Sequence, residues 1–339
     1  MKKSFFVIIN FSLLIINWFD GSAQLKWINV DSLYQPLPRS VHVYFTNEPI
    51  DTASFRAFYL IADLKDKKLD FTVDTTLNRR LTPTKFYEKD NHPLVVMNCS
   101  FFSFETNRNV NVIIKDGKLV AYNPEYVITK YKKDTAAKLV PHRSAIGITK
   151  KRIPDIAWVY TDSSKQYFHA TQLPRKPHYR YQDFFEQSDL LNYDSIKQYL
   201  GNEKDLINNE DDWRKKIRTA IGGGPVLLQK GKIFITNEEE MMFRGKAIRD
   251  KHPRTGMGYT KDSKLIILMI EGRNKNAGGA TLTQGAQIFK DLGCREALNL
   301  DGGGSSCLLI NGKETIKPSD AAGQRAIPAV FIIKQKTKN

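Results

Sequence analysis

The chain has 339 residues, 41% of them hydrophobic and 26% charged, and 52 Lys and Arg against 36 Asp and Glu give a formal net charge of +16. That length and apolar content exclude a disordered tail and fit one large domain or two ordinary ones. Three cysteines without C-x-x-C spacing exclude a disulfide framework, six histidines without an H-x-H or H-E-x-x-H pair argue against a structural zinc site or a zincin, and the charge favours an anionic partner.

Lys2 and Lys3 precede a mostly apolar run over residues 5–19, and Gly21-Ser22-Ala23 follows it. The run is shorter than the ~20 residues of a spanning helix, so residues 1–23 read as a signal peptide rather than an uncleaved anchor. The mature chain then starts at Gln24, is exported to the periplasm or secreted, and keeps no stable membrane span. Outside the cytoplasm Cys294 and Cys307 can pair, if the fold brings them close.

Val41, Val43 and Phe45 alternate with polar residues, and residues 55–64 are β-rich and aromatic, so residues 24–92 read as the strand-rich N-terminal part of the domain. The main part spans 93–339. Leu94 to Met97 is a short apolar strand running into Asn98-Cys99-Ser100-Phe101-Phe102. Residues 162–216 turn tyrosine-rich and charged, carry Pro174 and Pro177, and read as helical from Tyr181, an insertion that either caps a substrate or decorates the surface. Strand signals resume at Thr219. Residues 265–270 form a continuous apolar strand ending in Glu271-Gly272-Arg273. A helix follows, capped by Thr281 or Thr283, with Leu282, Ala286 and Phe289 on one face and Gly293 as its stop. Ala297 to Leu300 then runs into Asp301-Gly302-Gly303-Gly304-Ser305-Ser306, with further strands at 307–310 and 330–333. The expected class is α+β, a mixed, sheet-rich single domain with repeated hairpin units and a helical insertion.

One plan occurs three times. Residues 98–102, 222–225 and 302–305 each form a turn-like segment, each leads into a short strand, and the strands end at Asp116-Gly117, Lys230-Gly231 and Asn311-Gly312, each followed by lysine. An x-Gly tip of this kind permits positive φ in a tight hairpin. An arginine follows each unit: Arg143, Arg254 and Arg325. Glycine-rich turns let backbone N–H groups converge on an anion and arginine offers a planar fork for phosphate oxygens, so the threefold pattern points to a shared anionic pocket. None of the glycine runs continues as G-K-[ST] into a helix, which disfavours a nucleoside triphosphate.

These segments, with His142-Arg143-Ser144-Ala145, His252-Pro253-Arg254-Thr255, Glu271-Gly272-Arg273 and the run from Leu298 through Ser306, resemble the phosphodiester glycosidase domain family from about residue 55 to the C-terminus. N-L-D-G-G-G-S-S is the most specific piece. Cys99 stands where the family usually has glycine, Glu271 where aspartate is common, and Gly256 where alanine is usual. The resemblance implies cleavage of the bond between a sugar C1 and a phosphodiester oxygen, giving free sugar and a phosphate monoester. It assigns Asp301 as nucleophile or base and Glu271 as the second carboxylate. Arg143, Arg254 and Arg273 go to the phosphate, with Asn98, Gly223, Gly224, Gly303, Gly304 and Ser305 binding the substrate. The expected partner is a small molecule or glycan carrying a phosphodiester. Nucleic acid is disfavoured because the basic residues are spread along the chain. No cofactor or metal is assigned, since no loop has EF-hand spacing. The alternative is a non-catalytic carbohydrate- or polyanion-binding protein using the same pocket.

Overall fold

The structure is a computed structural model that describes residues 24–132, 135–161, 168–179, 213 and 216–336. The expected signal peptide lies outside the described residues, as does most of the expected insertion. Strands predominate, and every strand pair among the described residues is antiparallel. Of the insertion, the described part includes the strand Phe168–Thr171, which extends a sheet through Pro154–Thr161.

An eight-stranded sheet runs in the order Ile28–Asn29, Val41–Thr46, Ala57–Asp63, Lys264–Ile270, Arg254–Thr260, Cys294–Asn299, Val226–Gln229, Lys232–Ile233. A six-stranded sheet is centred on Arg143–Thr149 and Ile217–Gly222, and a five-stranded sheet on Val95–Asn98 and Ala329–Gln335. The N-terminal strands therefore complete sheets built mainly from the second half of the chain.

Alternation along these strands sends one set of side chains inward from these three of the four sheets among the described residues. Leu60, Ile267 and Leu298 from the first meet Ile146, Trp158 and Ile221 from the second and Met97, Leu308 and Phe331 from the third in one apolar core. The other face of the eight-stranded sheet is covered by the helix Leu282–Asp291, which buries Leu282, Ala286, Ile288 and Phe289. Thr281 is its N-cap: its hydroxyl accepts from Gln284 N while the Gln284 side chain accepts from Thr281 N, a reciprocal capping box. A second helix, Pro83–Lys89, lies over the five-stranded sheet.

The three x-Gly tips close two-residue hairpins. Lys115 pairs with Lys118, Gln229 with Lys232 and Ile310 with Lys313, and both central residues of each tip have positive φ, for example 49° at Asn311 and 78° at Gly312. Cys294 and Cys307 are free and buried in separate apolar clusters, so they do not form the disulfide considered from sequence.

Candidate functional site

The strand Arg254–Thr260 has Lys264–Ile270 on one side and Cys294–Asn299 on the other, with Arg254 opposite Ile270 and Gly256 opposite Asn299. Both neighbours run antiparallel to it. They therefore leave the sheet at the edge where Arg254 enters, and the backbones of Glu271 and Asp301 emerge on either side of Pro253. The approach is close enough to require glycine: a Cβ on Gly272 would lie 2.9 Å from Pro253 N, and one on Gly302 2.7 Å from Pro253 O.

The segment 98–100 ties this edge to the second glycine turn. Asn98 is 1% exposed; its amide donates to Asp301 O at 2.6 Å and its Oδ1 accepts from Thr255 Oγ1 and Cys307 N, both at 3.0 Å. Cys99 O accepts from Asp301 N at 2.9 Å, and Ser100 Oγ donates to Gly222 O at 2.9 Å. The three segments of the repeated plan thus meet at one place. Asn98 does not reach outward as expected of a substrate contact, because its hydrogen-bonding capacity holds the Asp301 turn in position.

Of the four glycines expected to cradle an anion, three have their N–H groups engaged elsewhere. Gly223 N donates to Ser144 O and Gly224 N to Asn299 O, while Gly303 N donates to Pro253 O. Those three N–H groups are spent inside the scaffold. A Cβ on Gly223 would meet Asn299 O and the Leu298 and Leu300 side chains, so this glycine serves close packing. At Gly303 and Gly304 the missing side chains make room for arginine. A Cβ on Gly303 would lie 3.1 Å from Arg273 Nη1, and one on Gly304 would collide with Arg325 and Asp320.

Positive charge is accordingly supplied by side chains. Arg254 is buried, and its guanidinium donates to the carbonyls of Ala280 and Asp250. Burial first, and the neighbouring charge of Arg273 second, lower its pKa to about 10. Arg273 Nη2 lies 3.3 Å from His252 Nδ1, and burial with the Arg254 and Arg273 charges holds that histidine below its ordinary pKa. Neither Arg254 nor Arg273 forms an ion pair with a carboxylate among the described residues. Arg325 is held by both oxygens of Asp320 at 2.8 Å and also reaches Ser305 Oγ at 3.4 Å. Ser305 in turn donates to the Asp301 carboxylate. Aromatic rings back this cluster: Arg254 stacks over Phe243 at 5.7 Å, Phe101 meets Phe243 edge-on, and Arg325 stacks over Phe104 at 5.4 Å.

Asp301 is half-buried, and burial pushes its carboxyl up to about 7 against the opposing pull of Ser305, Arg325 and the Gly302 N–H. It is poised to exchange a proton near neutrality. Glu271 differs. It is 4% exposed; Oε1 accepts from Asn274 Nδ2 at 3.1 Å, and Oε2 accepts from Lys317 N at 3.2 Å and lies 3.5 Å from Arg56 Nε. Arg143 borders the second glycine turn through Ser144; its Nε is buried without a hydrogen-bond partner among the described residues, and Glu240 is its nearby opposite charge. Cys99 is buried with its thiol pushed up to about 12, which leaves it a packed side chain rather than a nucleophile.

Residues 190–334 match the phosphodiester glycosidase family. This chain thus resembles the phosphodiester glycosidases over the segment that carries Arg254, Arg273, Asp301 and Arg325. Among curated proteins it is 34% identical over 82 residues to a prophage-derived protein of Bacillus subtilis, covering 24% of this chain and 13% of that protein. It is 28% identical over 108 residues to mouse N-acetylglucosamine-1-phosphodiester alpha-N-acetylglucosaminidase, covering 30% of this chain and 21% of the enzyme. The matched segments thus span less than a quarter of these relatives. The catalytic domain of the zebrafish enzyme of that name, solved in a form auto-inhibited by its pro-peptide, shares the fold with a TM-score of 0.56 at 20% identity, over 93% of this chain and 89% of that one.

Arg325 was singled out in sequence only as the third arginine of the repeated plan. Its signal as a site residue was that position, and its link through Ser305 to Asp301 needs the folded turn. Phe101 carried the weaker signal of lying within the N-C-S-F-F run.

Proposed function

We propose that the chain is an exported hydrolase that cleaves the C1–O bond of a sugar-1-phosphodiester, such as an N-acetylglucosamine-1-phosphate ester. The observation that carries the reading is the convergence of Asp301 with Arg254, Arg273 and Arg325 on the Gly302–Gly304 turn. Two arginines without carboxylate partners beside a carboxyl near neutrality suit a substrate that brings its own negative charge.

In this reading the phosphodiester lies against Arg254 and Arg273, with Arg143 as a further contact from the second turn. As C1–O breaks, C1 takes on oxocarbenium character and charge grows on the departing phosphate, where charge-assisted hydrogen bonds from the guanidiniums strengthen. Ionised Asp301 acts as nucleophile at C1 or as base toward water; in both cases water supplies the hydroxyl on C1 and releases one proton. Arg325 and Ser305 hold the Asp301 carboxylate and favour its ionised form. Glu271, anchored to Arg56 and the Lys317 backbone, supports the strand end from behind rather than supplying the second reacting carboxylate.

The test is release of free sugar from a sugar-1-phosphodiester by the mature chain. Release should disappear in Asp301→Ala with the fold intact. Binding of the diester without turnover by the unaltered chain would instead support a non-catalytic binding protein.

A further inference from the structure

At the opposite end of the same central strands lies a second cleft of about 420 Å³, lined by Asp155, Gln172, Gln229, Tyr259 and Glu296 among others. The register explains how these side chains meet. Tyr259 is opposite Glu296, and one residue beyond the Leu228–Ala297 pair brings Gln229 alongside Glu296. Asp155 enters from the six-stranded sheet, where it is opposite Gly147. The cleft therefore opens between two sheets, far along the strands from Arg254 and Asp301.

Its chemistry is unusual for a structural end. Gln229 is 0% exposed, yet neither end of its amide finds a hydrogen-bond partner among the described residues. A buried amide left so is costly, and each such group asks for a partner. Glu296 uses Oε2 for Ile156 N and the Tyr259 hydroxyl, and Asp155 uses Oδ2 for Gln172 Nε2 at 2.7 Å. Burial, and after it the Glu296 charge, raises Asp155 to about 8, and burial raises Glu296 as well. Arg295, Lys230 and Lys261 line the same cleft; Arg295 tempers both acids and Lys230 tempers Glu296.

We propose that this cleft is a second binding site, for a neutral polyhydroxylated molecule about the size of one sugar ring. The donor set favours it over a bare cation. A metal ion would satisfy the Gln229 carbonyl oxygen but leave its N–H₂ unpaired, and no grouping of three or more His, Cys, Asp or Glu suited to a metal occurs among the described residues. Adjacent hydroxyl groups both donate and accept, so they can pair both ends of the amide and the carboxyl oxygens together. The volume falls within the range of small-molecule pockets. This site does not depend on the glycosidase reading.

The test uses the full mature chain with glucose and myo-inositol as probes, followed by saturation-transfer NMR and calorimetry. At least one probe should bind in the millimolar range. Gln229→Leu, which keeps the volume and removes both hydrogen-bonding ends, should weaken it by about tenfold, raise Tm because the unpaired buried amide is gone, and leave diester hydrolysis unchanged. Asp155→Asn should weaken it less. Asp301→Ala should leave probe binding intact, so this site can stand even if hydrolysis fails. Absence of binding by the unaltered chain, binding indifferent to Gln229→Leu, or a response to Ca²⁺ alone that Asp155→Asn removes would each overturn the proposal.

Discussion

Asp301 is the residue whose surroundings make the sharpest demand. A carboxyl at about 7 when folded and near its ordinary value when unfolded favours the folded chain at low pH, and that contribution is lost as pH rises through about 7. Asp301→Asn removes the loss, so between about pH 5 and pH 8 the variant's Tm should fall less than that of the unaltered chain. In the proposed mechanism the ionised form acts, so kcat/KM should climb with pH through about 7 and flatten above it. The Arg325 charge holds Asp301 down, so Arg325→Ala should move that limb to higher pH; a limb that stays in place would detach Arg325 from Asp301. Arg254 and Arg273 answer to a different measurement. Replacing either with alanine should cost about 1.5–3 kcal/mol of transition-state stabilisation, roughly 10–150-fold in kcat/KM for the diester. Lysine at either position should restore only part, for want of the planar fork. Variants as active as the parent would remove these arginines from the site.

At the scale of elements, the buried Glu240 joins two sheets. Its carboxylate accepts from Ser144 N and Oγ and Trp158 Nε1 of the six-stranded sheet, and from Val226 N of the eight-stranded one. Removing it strands several buried donors, so Glu240→Ala should destabilise by about 3–5 kcal/mol in denaturant titration, while a change under about 1 kcal/mol would show that water replaces it freely. Nothing in the local text around Glu238-Glu239-Glu240 marks the third glutamate as the buried one, since its partners come from residues 144, 158 and 226. What was legible was periodic or local: the apolar run 265–270, the helix after Thr281 and the x-Gly hairpin tips each carry their own signal. The helix Pro83–Lys89 went unread although Thr82 caps it and Pro83 opens it, because seven residues are too few to show an amphipathic period. In the site, the residue types and their places at strand ends were visible. Which glycine N–H groups were already spent, and which way Asn98 and Glu271 faced, depended on pairings more than 40 residues away in sequence.

For the whole molecule, the excess of positive charge and the local arginine cluster act over different distances. The net +16 raises the concentration of any anion near the surface, an effect that salt screens over about 8–10 Å near physiological ionic strength. Arg254 and Arg273 sit at a sheet edge against Pro253, His252 and the Gly302–Gly304 turn, where direct hydrogen bonds to a phosphate are screened much less. Raising ionic strength from about 0.05 to 0.5 M should therefore raise KM for an anionic diester several-fold and leave kcat nearly unchanged. An uncharged aryl glycoside of the same sugar, followed in the same assay, should show neither effect. A fall in kcat with constant KM would place the salt-sensitive charges at the reacting bond instead of on the approach to it. An equal response from the charged and uncharged substrates would mean that salt acts on the fold, and the long-range role of the basic surface would be lost.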